Sequence, residues 1–300
     1  MKMNMLKYEF ANILNRVPFL SRIFRYTQRC QYIHSISDIL INRVRKCNLR
    51  HIAVENICWA SQTLEASKEY TSLTLILTLI DLTLLNNRLS ANLVPSLHWS
   101  RRFEYPFVYY HCDVAEYTKL RILDVGAGLN PFQILLSMLG HHVVSLDSNI
   151  KYVMKLCKIV SKLRSKVYPC LADAFQIPFK ENFFDRVICI SVIEHILDYL
   201  NPAFDLNLSY LILKALMCEL ARVTKPGGKI CITFDVDLSG RRHLNLSEVN
   251  ILSRILRVKI PSLPKDALIS DKMAFGSLFG HNKTVLAIIL RKIHNNLYEG

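Results

Sequence analysis

The spacing of apolar residues changes along the chain near Leu120. Before Ser100 the apolar positions recur at helical spacing, and no run shows the turn residues that usually bound a strand. After Leu120, short runs rich in β-branched residues alternate with longer helical stretches. This alternation predicts βαβ units, and therefore an α/β fold: a doubly wound, mostly parallel sheet with helices on both faces, preceded by a helical N-terminal extension.

The runs after Leu120 divide the chain into predicted elements. The predicted strands have the sequences RILDV, HVVSL, VYPCL, FDRVICIS and KICITFDV, and TVLAIILRK (Thr284–Lys292) is predicted as a late strand that completes the sheet. We expect two parts, a helical extension over residues 1–100 and a Rossmann-like domain over residues 101–300. Within the extension, residues 71–85 are apolar but contain Asp81 and are shorter than the ~20 residues of a spanning helix, which predicts a buried helix.

Composition places the chain among globular proteins. It has 300 residues, of which 51% are hydrophobic and 21% charged, which excludes disorder and collagen-like repeats. The nine cysteines are odd in number and show no paired spacing, so neither a metal site nor a disulfide framework is predicted. Free cysteines favour a reducing, cytoplasmic location.

The basic amphipathic N-terminus leaves a peripheral membrane or organelle location open, because apolar residues recur there at helical spacing in Leu6, Phe10, Ile13, Leu14 and Val17. The formal charge of +14 also lies mainly at the two ends of the chain. Residues 1–60 and 241–292 each carry 10 basic and 3 acidic residues, whereas the part between them is nearly balanced. Such flanks can attract nucleic acid or an anionic membrane surface, or can form a solvated face without a partner.

The motif LDVGAGLNPF (Leu123–Phe132) is the sharpest local signal. An apolar strand runs into Gly126 and Gly128, and a helix is predicted to begin near Pro131, whose fixed φ suits a first helical turn. Glycines allow a tight turn and the close approach of a ligand. In open α/β sheets, ligands bind beyond the carboxyl ends of the strands, where this turn would lie.

The next predicted strand ends in Asp147, which follows Gly126 by 21 positions. An acidic residue at about this spacing can accept hydrogen bonds from two ribose hydroxyls, which indicates a nucleoside-containing cofactor. A role of Asp147 as a helix N-cap is compatible with this one. Two features argue against a dinucleotide cofactor. Its fingerprint would need a glycine at position 131, where the chain has Pro131. The carboxylate of Asp124 would also repel a pyrophosphate, whereas it would suit a cationic ligand.

With these motifs, residues 120–237 resemble the class I S-adenosylmethionine-dependent methyltransferases. ELARVTKPGGKICIT is similar to the helix, Pro-Gly-Gly turn and fifth strand of the family. The resemblance implies S-adenosyl-L-methionine as cofactor, with Asp124 near the methionine amino group, Asp147 at the ribose and Asp173 at the adenine amino group. The full set of cofactor-binding residues implied is Asp124, Gly126, Ala127, Gly128, Asp147, Ser148, Asp173, Ala174 and Ser191.

The sequence departs from the family at two places. Asn130 and Pro131 stand where many members of the family have a third glycine. This difference alters how the protein contacts the carboxylate of the cofactor. The stretch LDYLNPAFDLNLSYLIL is longer than the usual connection, and we expect it to shape the acceptor pocket or to form a longer helix and loop.

Catalytic candidates come from the same resemblance and from the preceding aromatic stretch. His195 matches the histidine of the family's Glu-His pair and would accept the proton of a hydroxyl acceptor. The alternative is that His195 forms only a structural hydrogen bond. Weaker candidates for this role are His98, His243 and His281. In WSRRFEYPFVYY, we expect Arg102 to pair with the methionine carboxylate and Tyr105 to close the pocket, unless this stretch is only a packed aromatic connection.

The acceptor is the least determined part of the prediction. The segments around residues 241–256 and 261–281 carry no aromatic-rich basic stripe of the kind that binds RNA. We therefore expect a small-molecule or carbohydrate acceptor. The alternatives are an RNA or protein methyltransferase that uses the basic flanks, a dehydrogenase, and a catalytically inactive adaptor of the same fold.

Overall fold

The computed structural model describes residues 40–85, 98–117, 119–163, 165–201, 203–239, 244–267 and 283–293. The basic amphipathic stretch at residues 6–17 lies outside these ranges, and so do the weaker histidine candidates His243 and His281.

The described residues form seven strands and a series of helices. The strands are β1 (Ile52–Trp59), β2 (Arg121–Val125), β3 (His142–Asp147), β4 (Val167–Leu171), β5 (Phe184–Ile190), β6 (Thr224–Asp237) and β7 (Lys283–Lys292). The helices are α1 (Gln62–Glu65), α2 (Lys68–Ile80), α3 (Arg101–His111), α4 (Pro131–Met138), α5 (Ile150–Leu163), α6 (Ile193–Leu200), α7 (Leu206–Val223) and α8 (Leu246–Leu256). A further helical segment covers residues 40–46, and a π-helical turn, Asp81–Leu85, continues α2.

All seven strands belong to one sheet, in the order β1-β7-β6-β5-β2-β3-β4. Neighbours from β6 to β4 pair in parallel, whereas β7 is antiparallel to both β6 and β1. Because two antiparallel pairings restore the direction, β1 runs the same way as the five central strands. The mostly parallel α/β sheet predicted from the sequence is therefore confirmed, including the late strand β7.

Helices cover both faces of the sheet and enclose two hydrophobic clusters. The first cluster joins buried residues of α6, α7 and α8, such as Leu197, Leu216 and Leu252, to one face. The second joins α2, α3, α4 and α5 to the other face through residues such as Leu77 and Phe107. Both faces of the central strands are buried, as expected for a parallel sheet.

Strand β1 corrects the expectation that residues before Ser100 are helical throughout. It forms the edge strand beside β7, and its register shifts between Val54 and Asn56. A bulge of this kind breaks the alternation of apolar and polar positions, which is the signal used to recognise a strand. Pairing with β7 and ion pairs from Glu55 to Arg291 and Lys229 stabilise a strand that its own pattern does not reveal.

The apolar stretch at residues 71–85 is helical as predicted, but it is buried on one face only. Tyr70, Leu73, Leu77 and Ile80 of α2 are buried, whereas Leu75 is 61% exposed and Ile76 and Leu79 are also exposed. The prediction of a buried helix therefore holds for one face of α2 only, because overall hydropathy does not distinguish the two faces. Among the helices formed by the described residues, none has both the length and the hydropathy that a membrane span requires.

A disulfide joins Cys47 to Cys218, with their Cα atoms 5.8 Å apart. The cysteine spacing predicted no disulfide, and this expectation was wrong. The two residues are separated by 171 positions in sequence, so only the docking of residues 40–49 against α7 brings them together.

Candidate cofactor site

A cavity of about 850 Å³ lies at the carboxyl ends of β2, β3, β4 and β5. Its lining includes nine of the implied cofactor-binding residues and His195: Asp124, Gly126, Ala127, Gly128, Asp147, Ser148, Asp173, Ala174, Ser191 and His195. Sequence positions that span 72 residues thus meet at one edge of the sheet, since parallel strands end on the same side.

The turn after β2 forms the floor of the cavity. Gly126 and Gly128 have φ values of +67° and +55°, in the left-handed region that favours glycine. An added Cβ at Gly126 would lie 2.5 Å from Val192 Cγ2, whereas one at Gly128 would meet no atom within 4 Å. The first glycine therefore permits close packing against the start of α6, and the second leaves the cavity wall open.

Asn130 explains the departure from a third glycine. Its side-chain oxygen accepts a hydrogen bond from the backbone N–H of Gln133 and caps α4, which begins with Pro131. Its amide Nδ2 donates to the Ala127 carbonyl at 2.7 Å and to Asp124 Oδ2 at 3.2 Å. One side chain thus fixes the glycine turn, the helix start and the carboxylate of Asp124.

Asp147 is anchored by backbone donors at the end of β3. The N–H of Gly128 donates to Oδ2 at 2.8 Å, and the N–H of Asn149 donates to Oδ1 at 2.7 Å. A carboxylate has about four acceptor positions, so both oxygens can still accept from ribose hydroxyls. The predicted Asp147 is therefore oriented at the cavity by the same turn that carries the glycines.

Asp124 is a buried carboxyl group, only 2% exposed, at the end of β2. Burial is the largest cause that raises the pKa of Asp124 to about 7, and the negative charge of Asp147 adds to it; the Asn130 hydrogen bond and Arg101 act in the opposite direction. A cation bound against Asp124 would stabilise its charged form.

Helix α3 supplies a charged group that the sequence analysis missed. Glu104 is fully buried, and its Oε1 accepts from Ser191 Oγ at 2.7 Å and from Thr233 Oγ1 at 2.6 Å. Arg101 forms an ion pair with the other oxygen of Glu104 and also lines the cavity. Glu104 therefore positions both Arg101 and Ser191.

Arg102, predicted to meet the cofactor carboxylate, does not line this cavity. Its guanidinium lies 3.7 Å from Glu65 of α1 on the surface. Successive residues of a helix point about 100° apart, so α3 directs Arg101 inward and Arg102 away. The helical spacing of Arg101, Glu104 and Tyr105 is the signal that identifies the arginine lining the cavity. Tyr105, predicted to close the pocket, does line the cavity and stacks on Phe132 at 5.2 Å between ring centroids.

The wall after β4 is held by a buried ion network. Glu219 of α7 accepts from the N–H of Ile177 at 2.8 Å and pairs with Arg222, which donates to the carbonyls of Ile177 and Phe179. These contacts fix the loop that carries Asp173 and Ala174. Asp173 itself accepts from the N–H of Phe175 at 2.8 Å.

His195 lies at the open side of the cavity, near the first turn of α6. Partial burial of the ring, followed by the positive charges of Lys283 and Arg101, lowers the pKa of His195, while Asp198 raises it. The net decrease favours the neutral imidazole, which is the form that can accept a proton.

Two further buried carboxyl groups, Glu194 and Asp235, lie next to His195 on α6 and on the neighbouring strand β6. Desolvation is the largest cause that raises the pKa of both groups; the negative charge of Asp235 adds to it for Glu194, and that of Glu104 adds to it for Asp235. Glu194 Oε2 and Asp235 Oδ1 have no hydrogen-bond partner among the described residues. No group of three or more His, Cys, Asp or Glu side chains in the described ranges is arranged to hold a metal ion.

These residues fit a nucleoside ligand that carries a cationic amino acid. The cavity is within the ~300–1,000 Å³ of small-molecule sites. Asp147 can accept from the ribose, Asp124 from the ammonium group and Asp173 from the adenine amino group, and the glycine turn leaves room for the chain between them. Fold and site together define a Rossmann-like domain for an adenosyl cofactor.

Comparisons with known proteins find a similar domain in the central part of the chain. A family model described as "Methyltransferase domain" matches residues 123–232. An uncharacterized protein of Methanocaldococcus jannaschii is 30% identical over 111 residues, which are 37% of this chain and 39% of that protein. The chain therefore spans about two fifths of the length of the curated relative that it matches.

Solved structures with a similar chain path include the YcgJ protein of Bacillus subtilis, with 17% identity, a TM-score of 0.43, and coverage of 62% of this chain and 97% of that one. Another is phosphoethanolamine N-methyltransferase 2 of Haemonchus contortus in complex with S-adenosyl-L-methionine, with 20% identity, a TM-score of 0.39, and coverage of 59% and 49%.

Residues 123–232 are thus similar to a methyltransferase domain, and the cavity they line fits an adenosyl cofactor such as S-adenosyl-L-methionine.

Proposed function

We propose that this protein transfers the methyl group of S-adenosyl-L-methionine to a small-molecule acceptor that reaches the cavity from the side of Arg101 and His195. The observation that carries the proposal is the single concave cavity in which the adenosyl-binding residues and His195 meet. A concave site encloses a small ligand, whereas a polymer needs an extended groove.

The bound cofactor would supply an electrophilic methyl group on a positively charged sulfur. The residues of this chain act mainly by positioning: Asp124 would hold the amino acid end and Asp147 the ribose, and Glu104 fixes Arg101 and Ser191 at the wall. Positioning of this kind can supply most of the acceleration in a transfer that needs in-line approach. With a hydroxyl acceptor, neutral His195 would accept the proton.

Binding of the cofactor product is the first test. Calorimetric titration with S-adenosylhomocysteine should show one site, and Asp147→Ala should weaken binding by about tenfold or more because hydrogen bonds to the ribose are lost. Titration with NAD is the matched control. Binding of NAD, or no binding of S-adenosylhomocysteine by the wild type, would contradict the proposal.

The acceptor class requires a second experiment. The protein is incubated with methyl-labelled S-adenosyl-L-methionine and with the small-molecule, RNA or protein fraction of a cell extract. We expect label only in the small-molecule fraction, and loss of that label in Asp147→Ala. Label in RNA or protein would replace the small-molecule proposal but keep the methyltransferase assignment, whereas cofactor binding without transfer to any fraction would favour an inactive adaptor.

A further inference from the structure

A second concavity lies at the amino ends of the strands, on the edge of the sheet opposite the cofactor cavity. Arg121, His142 and Phe184 are the first residues of β2, β3 and β5. The volume of about 610 Å³ is that of a small-molecule site. We call it the amino-end pocket, and its lining residues are Lys119, Arg121, His142, Val144, Tyr168, Pro169, Cys170, Phe179, Phe183 and Phe184.

The pocket exists because one face of the outer strands lacks a helix. Val143 of β3 packs into the second hydrophobic cluster together with Leu156 of α5. The next residue, Val144, points to the other face, where its register partner is Tyr168 of β4. The chain between β4 and β5, residues 172–183, forms no helix. No helix of the described residues therefore covers Val144 and Tyr168.

Aromatic side chains form the walls of the pocket. Phe179, Phe183 and Phe184 pack on one another with ring centroids 5.0–5.4 Å apart. On the opposite side, the rings of His142 and Tyr168 are stacked, and His142 Nδ1 and the Tyr168 hydroxyl are hydrogen-bonded at 3.0 Å. The walls thus present apolar surface that is fixed by contacts within the protein.

The rim of the pocket is positively charged. The Arg121 guanidinium lies 4.8 Å from the Phe183 ring centroid, and Lys119 is exposed beside it. No carboxylate is among the lining residues. The adjacent Asp185 forms an ion pair with Lys225 and accepts the backbone N–H of Arg121, while the Arg121 side chain is 4.0 Å away, at the limit of an ion pair.

We propose that the amino-end pocket binds an amphipathic organic anion, with its apolar body against the phenylalanine walls and its carboxylate, sulfonate or phosphate at Arg121 and Lys119. A guanidinium held over an aromatic face is suited to such an anionic group. Arg121 at the charged rim is four steps along β2 from Val125 at the cofactor edge, roughly 13 Å at about 3.3 Å per residue, and the two cavities share no lining residue. The two ligands can therefore bind at the same time.

The test compares two dyes that differ only in an anionic group. Protein saturated with S-adenosylhomocysteine is titrated with 8-anilinonaphthalene-1-sulfonate and with the neutral N-phenyl-1-naphthylamine, and binding is followed by fluorescence. We expect the wild type to bind the sulfonate about tenfold more tightly, and Arg121→Gln to remove this preference. Val144→Trp should fill the pocket and weaken both dyes, whereas Arg102→Gln, on the other surface, is the matched control.

Three results would overturn the proposal. The first is equal binding of both dyes by the wild type, and the second is unchanged sulfonate binding in both Arg121→Gln and Val144→Trp. The third is displacement of the dye by anionic phospholipid vesicles but not by soluble laurate, which would assign the surface to a membrane. Affinity of the same variants for S-adenosylhomocysteine, measured by calorimetry in the absence of dye, should change less than twofold, which separates this test from that of the proposed function.

Discussion

The two glycines of the cofactor turn offer a matched pair of substitutions with different physical consequences. Both residues have positive φ, so alanine is strained at either position. Only at Gly126 does the new methyl group also meet a neighbour, since it would lie 2.5 and 2.7 Å from the two Cγ atoms of Val192. At Gly128 the methyl group meets open space. The difference between the two variants therefore isolates the steric contact.

The expected losses of unfolding free energy follow from the backbone strain and from the contact with Val192. A left-handed backbone costs an alanine about 1–2 kcal/mol, which is the whole expected loss of unfolding free energy for Gly128→Ala. Overpacking adds about 1–3 kcal/mol, so Gly126→Ala should lose about 2–5 kcal/mol. Replacing Val192 by alanine removes both Cγ atoms. The double variant Gly126→Ala/Val192→Ala should therefore recover about 1–3 kcal/mol relative to additivity.

Urea unfolding followed by circular dichroism measures these free energies for the four variants and the wild type. Calorimetry with S-adenosylhomocysteine gives the second readout, and Gly128→Ala should weaken binding although it keeps most of its stability, because its methyl group occupies the cavity wall. The reasoning is refuted if Gly126→Ala is no less stable than Gly128→Ala, or if removal of the Val192 side chain restores nothing.

Three other predictions address the charged groups and the disulfide. The pKa of Asp124 is about 7, and we expect its charged form to accept the cofactor ammonium, so affinity for S-adenosylhomocysteine should fall about tenfold from pH 8 to pH 6. The variant Asp124→Asn should bind weakly and with a flat pH profile. An unchanged pH dependence in this variant would exclude Asp124 as the titrating group. Arg101→Ala should lose about 3 kcal/mol of unfolding free energy and weaken S-adenosylhomocysteine binding, since buried Glu104 loses its cation. Arg102→Ala, whose partner Glu65 lies nearer the surface, should change stability by less than about 0.5 kcal/mol. Equal effects of the two substitutions in urea unfolding and calorimetry would contradict the placement of Arg101, rather than Arg102, at the cavity. Reduction of the Cys47–Cys218 disulfide should lower the free energy of unfolding in urea by about 2–4 kcal/mol. The variant Cys47→Ser should show the same loss without reductant. Equal stability of the oxidised and reduced protein would show that the disulfide does not stabilise the fold.

The sequence predicts the part of the fold whose signals are local. Strands β2 to β7 contain short apolar runs rich in β-branched residues, and the motif around Gly126 and Gly128 lies on one strand-turn-helix unit, so pattern and spacing identify them. Arg102 was chosen over Arg101 because the stretch was taken as a connection, and the helical spacing of Arg101 with Glu104 and Tyr105 becomes informative only once α3 is known to be a helix. Strand β1 and the Cys47–Cys218 bond were missed because both depend on contacts between distant parts of the chain.

Those long-range contacts also connect the segment before Ser100 to the cofactor site. Arg43 donates to the carbonyl of Phe175, which lines the cofactor cavity, and forms an ion pair with Glu219, the residue that holds the loop after β4. The disulfide ties Cys47, one helical turn beyond Arg43, to the residue next to Glu219. Since β1 also completes the sheet beside β7, residues 40–59 pack as part of the sheet domain, and Arg43 supports the cavity wall at Phe175 from behind.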